Sequence, residues 1–136
     1  MNKTFYLFIS FLAISKGFSQ GFIDSKFFQA LGAVESNNRE NAYNAKERAI
    51  GAYQIRPAYF KDAVKYDKSL SKYNHNDCYK KDVSVLIVTA YMNLYCKNGS
   101  FEDFARCHNS GPQWRNKKAL TDGYIKKFRG ELNKLK

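Results

Sequence analysis

Glu35 is the residue whose type and position most directly offer chemistry. Helical geometry turns about 100° per residue, so a helix through Phe27, Phe28, Leu31 and Val34 sets Glu35 roughly 20° from Phe28 and 40° from Leu31. The carboxyl then extends the apolar stripe at the C-terminal end of that helix and faces the edge of the core. Partial burial and the negative end of the helix dipole both disfavour the charged form, which predicts a raised pKa. A carboxylic acid still protonated near neutral pH is what general acid catalysis requires. From helix geometry alone, a helix-end glutamate that reaches solvent or a lysine is the commoner outcome.

Polar and aromatic residues downstream change that balance. Ser36 follows directly, then Gly51-Ala52-Tyr53-Gln54-Ile55, then Ala105-Arg106-Cys107-His108-Asn109-Ser110-Gly111-Pro112, and finally Tyr124. Amides and hydroxyls can hydrogen-bond a polar ligand, aromatic rings can stack on its flat faces, and an apolar wall tunes an acid. Blander readings stand beside each. Tyr91 reads chiefly as core, and His108, on an apolar helix face, more readily as a hydrogen-bonded structural histidine than as a catalyst. Gly111-Pro112 reads as a turn and Gln54 as a cap for the helix that Pro57 opens. Trp114, the only tryptophan, reads equally as a stacking platform or a packed ring.

Glu-Ser, Gly-x-x-Gln and Ala-x-x-x-Asn-x-Gly-Pro, in this order, resemble the lysozyme-like superfamily. The stretch from Glu35 to Gln54 is most similar to soluble lytic transglycosylase domains. Ala90-Tyr91-Met92 with His108 to Pro112 is also similar to invertebrate-type, destabilase-like lysozymes, where a histidine precedes the asparagine. The resemblance covers most of the chain and implies a mainly α, lysozyme-like domain. It implies cleavage of the β-1,4 bond between N-acetylmuramic acid and N-acetylglucosamine in bacterial peptidoglycan, with no metal or organic cofactor. Residue by residue, it makes Glu35 the acid that protonates the glycosidic oxygen and Ser36 a hydrogen-bonding group near the sugar or the glutamate. Tyr53, Gln54, His108 and Asn109 become cleft residues, Tyr53 as a sugar platform, and Tyr124 a tyrosine near the glutamate.

The pattern departs from the family at the second acid. Hydrolysis by a two-carboxylate scheme needs a carboxylate across the scissile bond. Invertebrate-type lysozymes carry an aspartate in the loop before Gly-x-x-Gln. Counting back from Gly51 reaches Asn44, whereas counting forward from Glu35 makes Glu47 the nearest acid; Glu40 and Asp62 are further candidates. Lytic transglycosylases need one glutamate only, because the substrate's own 6-hydroxyl closes a 1,6-anhydro ring. The cysteine-rich framework of the invertebrate-type enzymes is missing. So is the serine some of them are proposed to use for isopeptide cleavage, since Glu47 and Ala49 occupy that stretch and Arg56 follows Ile55. Isopeptidase activity is therefore not expected.

The elements that must position these residues are mostly helical. Asp24 can cap the first helix. Residues 37–50 are polar and aperiodic, a long connection with room for a small hairpin. Pro57 opens a second helix with Tyr59, Phe60, Ala63 and Val64 as its stripe. Tyr79 to Cys96 reads as one continuous helix, apolar nearly all round from Val83 to Leu94 and so buried on most sides. Asn98-Gly99 closes it, and Ser100 with Asp103 resembles a capping box for a helix burying Phe101, Phe104, Ala105 and His108. Thr121 can cap a last helix with Tyr124, Ile125, Phe128 and Leu132 on one face.

The remaining features bound where the protein works. Met1 to Ser19 has the charge, short apolar run and small residues of a secretory signal peptide, leaving one domain over residues 20–136. An exported, secreted protein is expected, without stable membrane insertion. The chain of 136 residues carries a formal charge of +11, and loss of Lys3 and Lys16 with the leader lowers it to about +9. Such a field favours anionic cell-wall polymers beside the glycan strands, although a solvated, solubilising face accounts for many of the lysines. A nucleic-acid binder has charge in its favour but no aromatic-basic module. A cationic wall-binding antibacterial protein with a vestigial cleft is the rival from another class. A monomer is expected. Cys78, Cys96 and Cys107 leave at least one cysteine unpaired, and the long helix between the first two means any internal bridge uses Cys107. His75 and His108 are the only histidines, and the spacings fit no zinc signature.

Overall fold

Asp24 starts the first helix: its carboxylate accepts the Lys26 N–H at 3.1 Å and caps α1, Ser25–Ser36. The structure, a computed structural model, describes residues 23–136, so the leader expected over residues 1–19 lies outside the described residues. After α1 come a two-stranded hairpin of β1 (Tyr43–Asn44) and β2 (Ala49–Ile50), then α2 (Pro57–Tyr66), α3 (Lys81–Tyr95), α4 (Phe101–Ser110) and α5 (Asp122–Asn133). Short 3-10 turns at Lys68–Lys72, His75–Tyr79, Gly111–Lys117 and Ala119–Thr121 join the helices. The fold is mainly α and lysozyme-like, with the hairpin where the polar, aperiodic stretch suggested one. Its strands pair antiparallel, Tyr43 with Ile50 and Asn44 with Ala49.

The core gathers around α1, which packs chiefly on α5, while α2 packs on α3 and α4 bridges α3 and α5. Phe27 is fully buried, and its ring meets Phe28, Phe101, Phe104 and Phe128 at centroid distances of 5.4 to 5.8 Å. Aromatic rings at such separations add edge-to-face attraction to the burial of their area. One cluster thus ties the first helix to the last two.

Three expectations about the elements are corrected. The central helix begins at Lys81 rather than Tyr79, because Asn74 and Asp77 form a reciprocal capping box that closes a separate 3-10 turn over His75–Tyr79. Cys78 therefore sits in that turn, with its carbonyl accepting the Ser84 hydroxyl at 2.6 Å. Nor is α3 buried on nearly all sides: Val83, Ile87, Val88, Tyr91 and Met92 face the core, whereas Leu86 and Leu94 are exposed. Thr121 precedes α5 but does not cap it. Its hydroxyl turns back to the Lys118 carbonyl at 2.9 Å and lies 2.6 Å from the Arg106 guanidinium.

All three cysteines are buried free thiols. Cys96, at the end of α3, and Cys107, in α4, have thiols near enough to affect each other's ionisation. The fifteen-residue α3, about 22 Å long at the normal helical rise, lies between Cys78 and Cys96. Among the described residues no helix is long and apolar enough to cross a membrane.

Candidate active site

Glu35 occupies the last turn of α1, which ends as Asn37 and Asn38 both enter the left-handed region (φ 56° and 59°). Its side chain is only 17 % exposed. The Tyr124 hydroxyl, 89 residues away in α5, donates to Oε1 at 2.5 Å. The Glu35 pKa is raised to about 7, first of all by burial. The Tyr124 hydrogen bond and the Arg56 guanidinium pull it down, and the charge of Glu47 pushes it up further. Low dielectric wins because a carboxylate out of water loses more hydration than one hydroxyl returns. The result is a carboxyl half protonated at neutral pH.

Ser36 does not line the hollow beside Glu35. It is buried, its hydroxyl donates to the Ala52 carbonyl at 2.8 Å, and it accepts the Arg39 N–H at 3.1 Å. Its task is to bolt the Gly51–Gln54 turn to the end of α1, which gives a physical reason for Glu-Ser and Gly-x-x-Gln to occur together. That turn is closed by reciprocal backbone hydrogen bonds between Ile50 and Ile55, at 3.2 and 2.9 Å. Gly51 has φ +78°, and a Cβ there would lie 2.1 Å from the Cys78 carbonyl oxygen, so only glycine fits. Gln54 adopts φ 52° without being glycine, a strain of order 1 kcal/mol that the closed turn sustains. Its amide donates to the Gly51 carbonyl at 3.0 Å, so it does not cap α2.

Tyr53 is not a sugar platform, because its ring is fully buried against Phe28. Its carbonyl is what matters to the site, since His108 Nε2 lies 2.7 Å from it. A carbonyl only accepts, so Nε2 carries the proton. The Tyr59 hydroxyl, 2.9 Å from Nδ1, then donates to that nitrogen. Burial drives the His108 pKa down to about 4, in keeping with a neutral ring. Nε2 is 3.7 Å from Glu35 Oε1, but a neutral imidazole makes no ion pair. His108 therefore braces the floor of the site with both nitrogens engaged. Tyr59 is in turn stacked on Tyr91 at 3.5 Å and 10°, which puts Tyr91 in the core. Trp114 is likewise packed, with its indole N–H 3.3 Å from the Tyr95 carbonyl.

Glu35, Glu47, Gln54, Arg56, His108 and Asn109 line one depression of about 70 Å³. That is well below the roughly 300–1,000 Å³ that encloses a small ligand. Such a hollow takes one bond or substituent of a longer chain lying across it. Glu47 is held above it by the hairpin, where the Asn44 side chain accepts the Lys46 and Glu47 N–H groups at 3.1 and 3.4 Å. Asn109 is exposed near the end of α4 with no hydrogen bond to another described residue, so its amide faces solvent. Tyr124 does not line the hollow; it holds the acid from behind. The other acids lie elsewhere: Asp62 accepts the Tyr95 hydroxyl at 2.9 Å, and Glu40 is near the Tyr53 phenol, whose pKa is raised first by burial and then by that charge. Arg56 had no signal in the sequence beyond its place after Ile55, and the Tyr59–His108 contact joins residues 49 apart. Among the described residues no group of three or more His, Cys, Asp or Glu could hold a metal ion.

One family model matches the chain: Destabilase, over residues 24–130. No curated protein matches it.

Proposed function

The chain belongs to the destabilase family, a lysozyme-like family, and from that premise we propose that it hydrolyses the β-1,4 bond between N-acetylmuramic acid and N-acetylglucosamine in peptidoglycan. The observation that carries this reading is Glu35, buried, held by Tyr124 and titrating near 7. The Glu35 carboxyl gives its proton to the glycosidic oxygen as the C1–O bond breaks, so the leaving sugar departs as a neutral alcohol. Glu47, on the rim of the same hollow, takes a proton from the water that attacks C1. Gln54 and Asn109 offer amides to N-acetyl and hydroxyl groups of the strand. The basic charge of the chain draws it to anionic wall polymers, and its place of action is outside the cell.

Glu35→Gln keeps the shape of the site and removes the acid. Clearing of a cell-wall suspension should fall by about 10²–10⁴-fold. An unchanged rate would sink the enzymatic reading in favour of a cationic wall-binding protein with a vestigial cleft. Mass spectrometry of fragments released by the wild type should show reducing muramyl ends. Anhydro-muramyl ends without reducing ends would make the protein a lytic transglycosylase, in which Glu35 alone is acid and base.

A further inference from the structure

Arg56 sits between two fixed points of backbone, the Ile50–Ile55 pairing on one side and Pro57 at the start of α2 on the other. Although it occupies the N-cap position of α2, its side chain makes no cap hydrogen bond. The guanidinium lines the hollow with Glu35, Glu47, Gln54, His108 and Asn109 instead. Its one hydrogen bond among the described residues is long, from Nη2 to the His108 carbonyl at 3.4 Å. No carboxylate of the described residues lies within ion-pair distance of it. Other arginines of the chain are better satisfied. Arg106 reaches the Lys118 carbonyl, Thr121 and Asp122, and Arg129 is paired with Glu102 through two nitrogens.

A half-buried guanidinium with most of its donors unused is an incomplete site. Its planar fork fits a carboxylate through two parallel N–H···O bonds. Neither Glu35 nor Glu47 supplies that partner at pairing distance. Among the described residues Arg56 is the one permanent cation lining the hollow. The sugars of the proposed substrate present hydroxyl and N-acetyl groups to neighbouring amides. Only the lactyl group of the muramyl residue and the peptide attached to it bring a carboxylate near the scissile bond.

We propose that Arg56 is a specificity-determining residue that binds a carboxylate on the muramyl side of the scissile bond; this rests on the glycan-cleaving function proposed above. The carboxylate has two sources, a bare lactyl group on a strand stripped of its peptides, or an acid group of an attached stem peptide. Either makes the protein prefer muramyl-containing strands to a neutral chitin-type chain of equal length.

The test measures binding in the Glu35→Gln background, so that no substrate is consumed. Three oligosaccharides of equal length serve as probes: a neutral N-acetylglucosamine oligomer, one alternating with muramyl residues bearing bare lactyl groups, and the same with stem peptides. Titration calorimetry should show at least one anionic probe bound about ten-fold tighter than the neutral one. Adding R56Q should bring that ratio close to one, while R56K, which keeps the charge and loses the fork, should retain part of it. The anionic probe that shows the ratio identifies the carboxylate. If R56Q fails to fold, as judged by its circular dichroism, R56K carries the same readout, and a ratio unchanged from Arg56 overturns the proposal. So does a ratio near one with Arg56 in place, or no measurable binding of either anionic probe at millimolar concentration. Failure of the wild type to cleave the strands, with the Arg56-dependent ratio intact, would overturn the proposed reaction and leave the anion site standing.

Discussion

At the scale of single residues, the Tyr124 hydroxyl has two opposed effects on Glu35. It fixes the carboxyl in place and, by donating to it, favours the charged form. Tyr124→Phe removes that donation and leaves burial in force, so the Glu35 pKa should move further above 7. The alkaline limb of the pH–kcat profile should shift to higher pH while kcat falls through the looser acid. A limb that moves to lower pH would contradict the role given to the hydroxyl. Glu35, Gln54 and Asn109 were legible in the sequence because their residue types and order carry the family pattern, and they do meet at one hollow. His108 was readable as a hydrogen-bonded structural histidine, and both its ring nitrogens are engaged; the roles of Ser36 and Tyr53 were not readable. Each acts through a backbone carbonyl or a buried partner, and residue type does not report on those. Arg56 was invisible for a different reason, since it has no patterned spacing and only the fold turns it toward the cleft.

At the scale of elements, the hairpin carries the second carboxylate on a short, exposed tip. Glu47→Gln leaves the Asn44 side-chain bonds to the turn intact and removes only the charge. If Glu47 is the base, muropeptide release should drop by about 10²-fold or more, and the residual product should carry a larger share of anhydro ends. Equal rates for the two proteins would remove Glu47 from the mechanism. The junction of α3 with α4 offers a second prediction. Cys96 and Cys107 are neighbours whose thiols affect each other, so a small-molecule disulfide oxidant should exchange with them and leave one intramolecular bridge. Mass spectrometry should find the loss of two hydrogens in the peptide pair containing Cys96 and Cys107, and Cys78 still free. The gain in stability should be about 2–3 kcal/mol for so short a loop. Cys107→Ser should abolish both. The capped starts of α1 and α4 were readable from Asp24 and from Ser100 with Asp103, because the sequence itself contains those hydrogen-bonding partners. The start of α3 was not, since apolar periodicity runs on through Tyr79 while a local capping box breaks the helix.

At the scale of the whole molecule, two buried groups titrate in opposite senses. Glu35 has its pKa raised from 4.5 to about 7, so between those values the folded protein holds a proton the unfolded chain has released. Stability therefore falls as pH rises through that window, by about 3 kcal/mol in all. His108 has its pKa lowered from 6.5 to about 4, so the unfolded chain holds the extra proton and stability rises with pH there. Between about pH 4.5 and 6.5 the two slopes oppose each other. Glu35→Gln removes one of them. The difference in unfolding free energy between that variant and the wild type should grow in the variant's favour by about 3 kcal/mol from pH 4.5 to 7 and then level off. Denaturant melts at a series of pH values would show it, and a constant difference would mean that Glu35 is not held neutral by the fold.

The Glu35–Tyr124 hydrogen bond also has a consequence in time. It joins the first helix to the last, and the Phe27 ring cluster joins them again. A ribosome or a translocation channel releases α1 long before α5. Until α5 arrives, Glu35 lacks the Tyr124 hydroxyl that holds it. The order of synthesis thus completes the surroundings of Glu35 only once residues 122–133 have been made.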